Sequence, residues 1–267
     1  DDPVDQRLFF GREREIASLK HRVRASRILL LFGKSGLGKT SLLQAGLFPA
    51  IREHAIFPVP VRFNQTDPPL GPNDVVNMIV EAVQTAATEQ GIDGEVGATG
   101  SLWEFFKTTD FWLGDTLLVP LLVLDQFEEV FTLQDVAFRQ ALAAELGELA
   151  TRGLPASIRR RRDAGEHLPY SDAPPKLHVI ISFREEYLAS LEELAADVPA
   201  ILEHRFRLLP LDLERARAAV ERPAALEDGG TFRTQPFRYA HSTLDAMLDF
   251  LGNRAGEVEP FQLQVLC

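Results

Sequence analysis

The sequence predicts an α/β fold, with a parallel sheet flanked by helices and a small helical subdomain after it. Three runs of almost continuous aliphatic residues, RILLLF (27–32), TLLVPLLVLD (116–125) and LHVIISF (177–183), alternate with segments of helical periodicity. Such strands are typical of parallel sheets covered on both faces, and strands alternating with helices require parallel crossovers. The pattern becomes helical from residue 212, so we expect one domain over 1–211 and a second over 212–267.

The remaining elements follow from shorter signals. After a polar lead-in and an FFG turn, apolar residues at Ile16, Leu19 and Val23 predict a helix. Two prolines weaken a strand at 55–64 and place it near an edge of the sheet. Other predicted segments are helices at 40–48 (stopped by Pro49), 74–91, 101–113 and 135–150, a long loop at 152–176, and a short strand at 203–211. The aromatic residues of 101–113 are expected to pack against the sheet.

The composition of the 267-residue chain is that of a globular protein, with 45% hydrophobic and 25% charged residues. A net charge of −11 argues against broad contact with nucleic-acid phosphates, and we interpret the basic run Arg159–Arg162 as part of a solvated loop. A single cysteine, Cys267, excludes an internal disulfide and suits the cytoplasm. No apolar stretch is long enough to span a membrane. The chain starts without Met and stops within an apolar pattern, so we expect it to be part of a longer protein.

A glycine-rich loop follows the first strand. Residues 33–41 read GKSGLGKTS, which matches the phosphate-loop (P-loop) pattern G-x-x-x-x-G-K-[ST] between a predicted strand and a predicted helix. Glycines let the backbone curl so that its N–H groups point at phosphate oxygens, and the next helix directs its dipole at the same anion. A surface turn would need neither the strand nor the hydroxyl, so the pattern predicts a nucleoside triphosphate site. The expected contacts come from Gly33, Ser35, Gly36, Leu37, Gly38, Lys39, Thr40 and Ser41, with Lys39 on the β- and γ-phosphates and the Thr40 hydroxyl on Mg²⁺.

A carboxylate is expected at the end of a neighbouring strand, because a P-loop needs a partner for the magnesium shell. The segment LLVLDQFEEVF places Asp125 where the strand leaves the sheet. Mg²⁺ usually takes one or two protein oxygens, with water and phosphate completing its shell, so Thr40 and Asp125 suffice. Glu128 and Glu129 follow within a turn, and either one could orient or deprotonate the attacking water. The sequence leaves the choice between them open.

The third aliphatic strand ends in an arginine, in VIISFREEY. A lone arginine at such a position is commonly a surface charge. At the carboxyl edge of this sheet, however, Arg184 would face the γ-phosphate and could report its presence. We therefore place Arg184 with Glu128 and Glu129 among the candidate catalytic residues.

Together these motifs resemble the STAND class of P-loop NTPases, and within it the bacterial novel STAND branch, which is related to NACHT and AP-ATPase modules. FFGREREI (9–16) is similar to the motif that opens the family, GKSGLGKTS to its Walker A motif, and LLVLDQFEEVF to the branch's own form of Walker B. VIISFREEYL is similar to the sensor-1 strand. LPLDLERARAAVERPAAL and GEVEPFQLQVLC resemble the helical domain, with a loose Gly-x-Pro element at Pro260. These stretches stand in the family's order and span almost the whole chain.

The resemblance implies further roles. Phe10, Gly11 and Arg12 would line the adenine side of bound ATP or ADP, and Pro260 would cap the base. It also implies a switch, in which ADP keeps the modules together, exchange for ATP opens them, and slow hydrolysis acts as a timer. The expected partners are other domains of the same protein (a winged-helix domain, a repeat sensor and an effector) and further copies of the chain on activation. In bacteria, such proteins often act in conflict or defence.

Two alternatives stay open on the sequence. An AAA+-like motor would hydrolyse ATP continuously to remodel a partner, and it would need an arginine supplied in trans. A non-hydrolysing scaffold would hold ADP as a structural ligand in an interaction module. The turnover rate, taken together with the nucleotide retained after purification, separates these two from the switch.

Overall fold

The structure is a computed structural model, and it describes residues 3–64, 70–94, 100–168, 170–198, 201–227 and 235–266. The α-helices are α1 (Pro3–Leu8), α2 (Glu13–Ala25), α3 (Lys39–Ser41), α4 (Phe48–Arg52), α5 (Asp74–Glu89), α6 (Leu102–Thr108), α7 (Glu128–Leu133), α8 (Val136–Ala150), α9 (Ala156–Asp163), α10 (Leu188–Glu192), α11 (Leu213–Ala224), α12 (His241–Leu251) and α13 (Pro260–Leu266). The strands are β1 (Ile28–Gly33), β2 (Ile56–Val61), β3 (Asp93–Gly94), β4 (Phe111–Leu113), β5 (Thr116–Leu124), β6 (His178–Arg184), β7 (Arg205–Arg207), β8 (Leu211–Asp212) and β9 (Glu257–Val258). A π-helical segment, Leu42–Leu47, joins α3 to α4.

The larger of two compact units comprises Arg22–Phe32 and Ile51–Phe206 and contains the main sheet. Its strand order is β2-β5-β6-β1-β7, and the short strands β3 and β4 join the β5 side. β2 and β6 both pair with β5 in parallel, so that Leu124 lies between Val61 and Ile181. β4 pairs with β5 in the antiparallel sense. The predicted parallel sheet with flanking helices is confirmed, with a small antiparallel addition.

The core of this unit is built from the aliphatic runs that predicted it. Leu121, Leu122 and Ile181 have no exposed side-chain area, and α5, α6 and α8 pack against one another. The aromatic segment is buried as predicted at four positions, Trp103, Phe105, Phe106 and Phe111. Trp112 differs, because 40% of its surface is exposed. Burial of the aromatic rings therefore fixes α6 and the start of β4 against the rest of the unit.

The helix predicted over 101–113 is too long. α6 ends at Thr108, and β4 follows, connected to β5 by Gly114 and Asp115. Gly114 has a φ of +55°, which glycine adopts without steric cost, and a two-residue turn with glycine at its first position favours a hairpin. In the resulting register Trp112 lies opposite Leu117. Strand pairing therefore overrides the helical periodicity of this segment.

The long loop predicted over 152–176 contains a helix, α9, which carries the arginine run. Arg161 pairs with Glu104 at 2.8 Å and with Glu166 at 2.5 Å, and Arg162 pairs with Asp172 at 2.7 Å. Arginine is a good helix former, and the Glu104 carboxylate comes from α6, far away in the sequence. Two of the four arginines of this run are therefore paired with carboxylates of the same unit.

Three shorter predicted segments also differ in the structure. The polar lead-in contains α1. The helix after the glycine-rich loop continues past Pro49 to Arg52, with a π-helical segment directly before α4. The strand predicted at 203–211 divides into β7 and β8.

The smaller unit comprises Asp1–His21, Gly33–Ala50 and Arg207–Cys267. In it, α11 packs against α1, α12 and α13, and β8 pairs with β9 so that Leu211 lies opposite Val258. The Asp212 carboxylate accepts the Arg215 N–H at 2.8 Å and caps the start of α11. The division of the chain into residues 1–211 and 212–267 stays a prediction. Within the described ranges, no helix has both the length and the apolar character needed to cross a membrane.

Candidate functional site

The glycine-rich loop connects β1 to α3. Gly36 and Gly38 both have a φ of +79°, a left-handed conformation that costs other residues about 1–2 kcal/mol. A Cβ atom on Gly33 would lie only 2.6 Å from the carbonyl oxygen of Leu208. Gly36 and Gly38 therefore permit the tight curl that a phosphate-binding loop requires, and Gly33 permits the close approach of Leu208.

Lys39 begins α3 and turns its side chain back over the loop. Its Nζ donates to the carbonyl oxygen of Gly33 at 2.9 Å and to that of Lys34 at 3.0 Å. These bonds hold a positive charge at the loop and at the start of a helical segment, where an anion is also favoured. The ammonium group is therefore well placed to bind a phosphate oxygen through charge-assisted hydrogen bonds.

A cavity of about 680 Å³ lies beside the loop, within the smaller unit. Its volume falls in the range of about 300–1,000 Å³ that is usual for small-molecule sites. Seven of the residues predicted from the sequence line it: Phe10, Arg12, Gly36, Leu37, Gly38, Ser41 and Pro260. Further lining residues, which the sequence did not single out, include Gln44, Pro223, Tyr239, Phe261 and Gln264. Apolar side chains with a few polar groups suit a flat heterocyclic base.

The FFGRE segment supports the loop from the side. The Arg12 guanidinium is 4% exposed and donates to the carbonyl oxygens of Leu37 at 3.3 Å and Leu209 at 2.8 Å. It also pairs with Glu15 at 2.9 Å. Burial lowers the pKa of Arg12 below its usual value, and the Glu15 carboxylate opposes this shift. Arg12 therefore braces the P-loop against neighbouring chain segments while it lines the cavity.

Gly11 packs tightly against α11. Its φ is +86°, and a Cβ at this position would lie 2.6 Å from the carbonyl oxygen of Arg215. The Arg215 guanidinium in turn pairs with Glu15 at 2.5 Å and Asp212 at 2.9 Å. The glycine predicted to line the adenine side therefore has a clear packing reason, since any side chain would separate this turn from the helix.

A second group of predicted residues lies in the larger unit, at the carboxyl ends of β2, β5 and β6. Asp125 follows β5, is 6% exposed, and donates its backbone N–H to the carbonyl oxygen of Val61 at 3.1 Å. Two residues later, the Phe127 N–H donates to the carbonyl oxygen of Ser182 at 2.9 Å. Backbone bonds to both neighbouring strands therefore fix the turn that carries Asp125.

Glu128 and Arg184 form an ion pair at this edge. Glu128 Oε1 lies 2.9 Å from Arg184 Nε, and Oε2 accepts the Arg184 backbone N–H at 3.2 Å. The Glu128 side chain is 10% exposed, whereas that of Arg184 is 51% exposed. Two of the three predicted catalytic residues thus contact each other directly.

Glu129 is held by a different arginine. Arg62, directly after β2, lies 2.7 Å from Glu129 Oε1 through Nη2 and 3.4 Å from Oε2 through Nε. The same Nη2 donates to Gln126 Oε1 at 2.5 Å. Sequence reasoning missed Arg62 and Gln126. An available signal was the position of Arg62 at the end of a predicted strand parallel to the one that carries Asp125.

The chemistry of the predicted magnesium ligands can be compared with these surroundings. Asp125 offers a buried carboxylate at a strand end, which is a hard oxygen donor of the kind that Mg²⁺ prefers. Among the described residues, no three His, Cys, Asp or Glu side chains come together as a metal cluster. Since Mg²⁺ in nucleotide sites takes most of its ligands from phosphate and water, a single protein carboxylate fits this ion.

Comparison with known proteins adds a family. The model of the family described as novel STAND NTPase 1 matches residues 2–239, most of the chain. No curated protein matches the sequence.

The fold is similar to that of several solved structures. They include the ORC2 protein of Aeropyrum pernix in ADPNP–ADP complexes (12% identity, TM-score 0.53) and a Walker-type ATPase of Pyrococcus abyssi (15% identity, TM-score 0.56). A third is the Aeropyrum pernix ORC1 protein in complex with DNA (13% identity, TM-score 0.51). The alignments cover 96–97% of this chain but only 59–65% of those proteins. At this level of identity the likeness shows the fold alone.

Proposed function

Since the chain belongs to the novel STAND NTPase 1 family, we propose that it is the ATP- and ADP-binding switch module of a larger signalling protein. In general terms it is a nucleotide-binding NTPase module. The proposal adds that hydrolysis is slow and magnesium-dependent, and that the bound nucleotide controls oligomerisation or an effector in the bacterial cytoplasm. A role in conflict or defence, with winged-helix, repeat and effector domains as partners, is part of the same proposal.

One observation carries the proposal: a curled glycine loop with Lys39 held at its carbonyl oxygens borders a cavity of about 680 Å³. The loop offers N–H groups and a cation for phosphates, and the cavity offers Phe10, Tyr239 and Pro260 for a base. The ADPNP–ADP complexes of the ORC2 protein support an adenine nucleotide as the ligand.

The residue roles in this mechanism are those that the motifs predict. Lys39 binds the β- and γ-phosphates, and the loop from Gly33 to Ser41 surrounds the rest of the polyphosphate. Thr40 and Asp125 would hold Mg²⁺, which when bound would supply positive charge to the phosphate oxygens. A glutamate after Asp125 orients or deprotonates the attacking water, and Arg184 responds to the γ-phosphate.

The energy needed for such a switch is within reach of these contacts. Changing a two-state population from 1:99 to 99:1 requires about 5.5 kcal/mol of differential affinity. Charge-assisted hydrogen bonds contribute about 1.5–3 kcal/mol each. Contacts made by Lys39, Mg²⁺ and Arg184 to one γ-phosphate in only one state could supply much of this difference.

The test is to purify the protein without added nucleotide, identify what remains bound, and measure steady-state ATP turnover beside that of Lys39→Ala. We expect retained ADP and a Lys39-dependent turnover below about 1 per second, compared with about 10 per second for ordinary enzymes. Fast turnover without retained ADP would indicate the motor. Retained ADP with turnover equal to that of Lys39→Ala would indicate the scaffold.

A further inference from the structure

We propose that Arg62 slows ATP hydrolysis by binding the carboxylate of Glu129 and the side-chain amide of Gln126. Glu129 acts as the general base once its ion pair with Arg62 opens. The inference rests on the proposed function and deepens it, because it chooses between the two glutamates and adds a residue that limits the rate. Glu128 and Glu129 differ in the partners that hold them.

Glu128 is bound to Arg184 by contacts that cannot open easily. One of its oxygens accepts a backbone N–H, that of Arg184 at the end of β6, and the other meets the Arg184 guanidinium. A backbone amide in a strand cannot withdraw unless the strand moves. With a 10% exposed side chain, Glu128 therefore serves to hold the end of β6 and the orientation of Arg184.

Glu129 has a partner that can leave. Both of its oxygens face the Arg62 guanidinium, at 2.7 and 3.4 Å, and Arg62 comes from a different strand. The Arg62 side chain is 37% exposed and has a long flexible stem, so it can move into solvent without disturbing β2. A carboxylate whose lone pairs accept from a guanidinium is a poor acceptor for the proton of water. The ion pair therefore keeps Glu129 from acting as a base until it opens.

Gln126 shares the same guanidinium. It accepts from Arg62 Nη2, and its own backbone has a φ of +51°, which is uncommon for a residue with a side chain. Strained backbone of this kind is found preferentially at functional sites. The Gln126 amide, directly after Asp125, carries both a donor and an acceptor and can orient a water molecule. Arg62 thus binds both the Glu129 carboxylate, which would accept the proton, and the Gln126 amide, which could position the water that donates it.

The test is steady-state ATP hydrolysis by five variants: Arg62→Ala, Arg62→Lys, Glu129→Gln, the double variant Arg62→Ala/Glu129→Gln, and Glu128→Gln. We expect Arg62→Ala to raise kcat about twofold to fivefold with KM unchanged, because a partly exposed ion pair is lost. Arg62→Lys, which keeps the charge without the planar fork, should fall between it and the wild type. Glu129→Gln should lower kcat about 100-fold or more, and Glu128→Gln less than about tenfold. In the Glu129→Gln background, Arg62→Ala should have no effect.

Arg152→Ala, which removes an exposed arginine of the same unit, is the matched control and should leave kcat unchanged. Thermal unfolding of each variant checks that it is folded. The proposal is overturned if Arg62→Ala lowers kcat or leaves it unchanged, if it raises kcat equally in the Glu129→Gln background, or if Glu128→Gln is the more damaging of the two glutamine variants. If the wild type shows no turnover above Lys39→Ala, the proposed function itself fails, which is a distinct result.

Discussion

Gly36 combines two constraints at one position of the P-loop. Its φ is +79°, and a Cβ atom would lie 2.9 Å from Cδ1 of Phe261, the second residue of α13. The positive φ concerns the backbone of the loop alone, whereas the Phe261 contact brings the loop close to the start of α13. Glycine at this position therefore allows both the curl of the loop and the close approach of an aromatic ring that lines the cavity.

Gly36→Ala should weaken ADP binding by at least about tenfold, because the variant must either relax the loop or displace Phe261. Gly114→Ala is the matched control: its φ is also positive, at +55°, but nothing lies within 4 Å of the added methyl group. It should lose about 1 kcal/mol of stability from backbone strain and keep its affinity for ADP. Titration calorimetry and thermal unfolding measure the two effects. Equal losses of affinity in both variants would contradict a role for the contact with Phe261.

Helices α6 and α8 are joined by a carboxylate that is partly withdrawn from water. Glu145 of α8 accepts the backbone N–H of Leu102, in the first turn of α6, at 2.8 Å. Burial raises the pKa of Glu145, the Leu102 N–H opposes this, and the charge of Glu148 adds to the rise. An acid whose pKa is higher in the folded state contributes stability below its unfolded pKa and loses it as the pH rises through the folded value. Ionised Glu145 is therefore destabilising at neutral pH.

Glu145→Gln should raise the free energy of unfolding at pH 7 by no more than about 1 kcal/mol, since the site is partly exposed. The amide oxygen can still accept from Leu102, so the link between the helices is kept. The gain should disappear at a pH below the usual glutamic acid pKa of 4.5, where the wild-type side chain is also neutral. Urea unfolding at both pH values measures the difference, with exposed Glu81→Gln as the control. A gain that persists at low pH would show that charge is not its cause.

Elements with strong periodicity could be predicted from the sequence, and those decided by distant partners could not. β5 and β6 lie where continuous aliphatic runs placed them, because a doubly covered strand needs apolar residues on both faces. β4 was missed because FWL fits a helix as well as a strand until Gly114 and Asp115 turn the chain back. α9 was missed because Arg161 and Arg162 pair with acids outside the helix, such as Glu104 and Asp172. At the candidate site the motif residues could be named from the sequence, whereas the contacts of Arg62 with Gln126 and Glu129 depend on a fold that no local pattern encodes.

At the scale of the whole molecule, the predicted phosphate-binding and base-binding residues belong to one compact unit, and the predicted acidic residues belong to the other. The smaller unit gathers the FFGRE segment, the P-loop and the C-terminal helices, which are far apart in the sequence, around one cavity. The five stretches that resemble the STAND class are thus distributed over both units.

The most direct test of the account is titration calorimetry of Mg-ADP binding to the wild type, Lys39→Ala and Lys34→Ala. Both lysines lie in the P-loop, but the Lys34 side chain is exposed, whereas Lys39 Nζ is held against the loop's carbonyl oxygens. The account predicts that Lys39→Ala weakens Mg-ADP binding about tenfold to 100-fold, because charge-assisted hydrogen bonds to phosphate are lost. Lys34→Ala should change the affinity less than about threefold. Wild-type affinity in Lys39→Ala would contradict the assignment of this loop as the phosphate site.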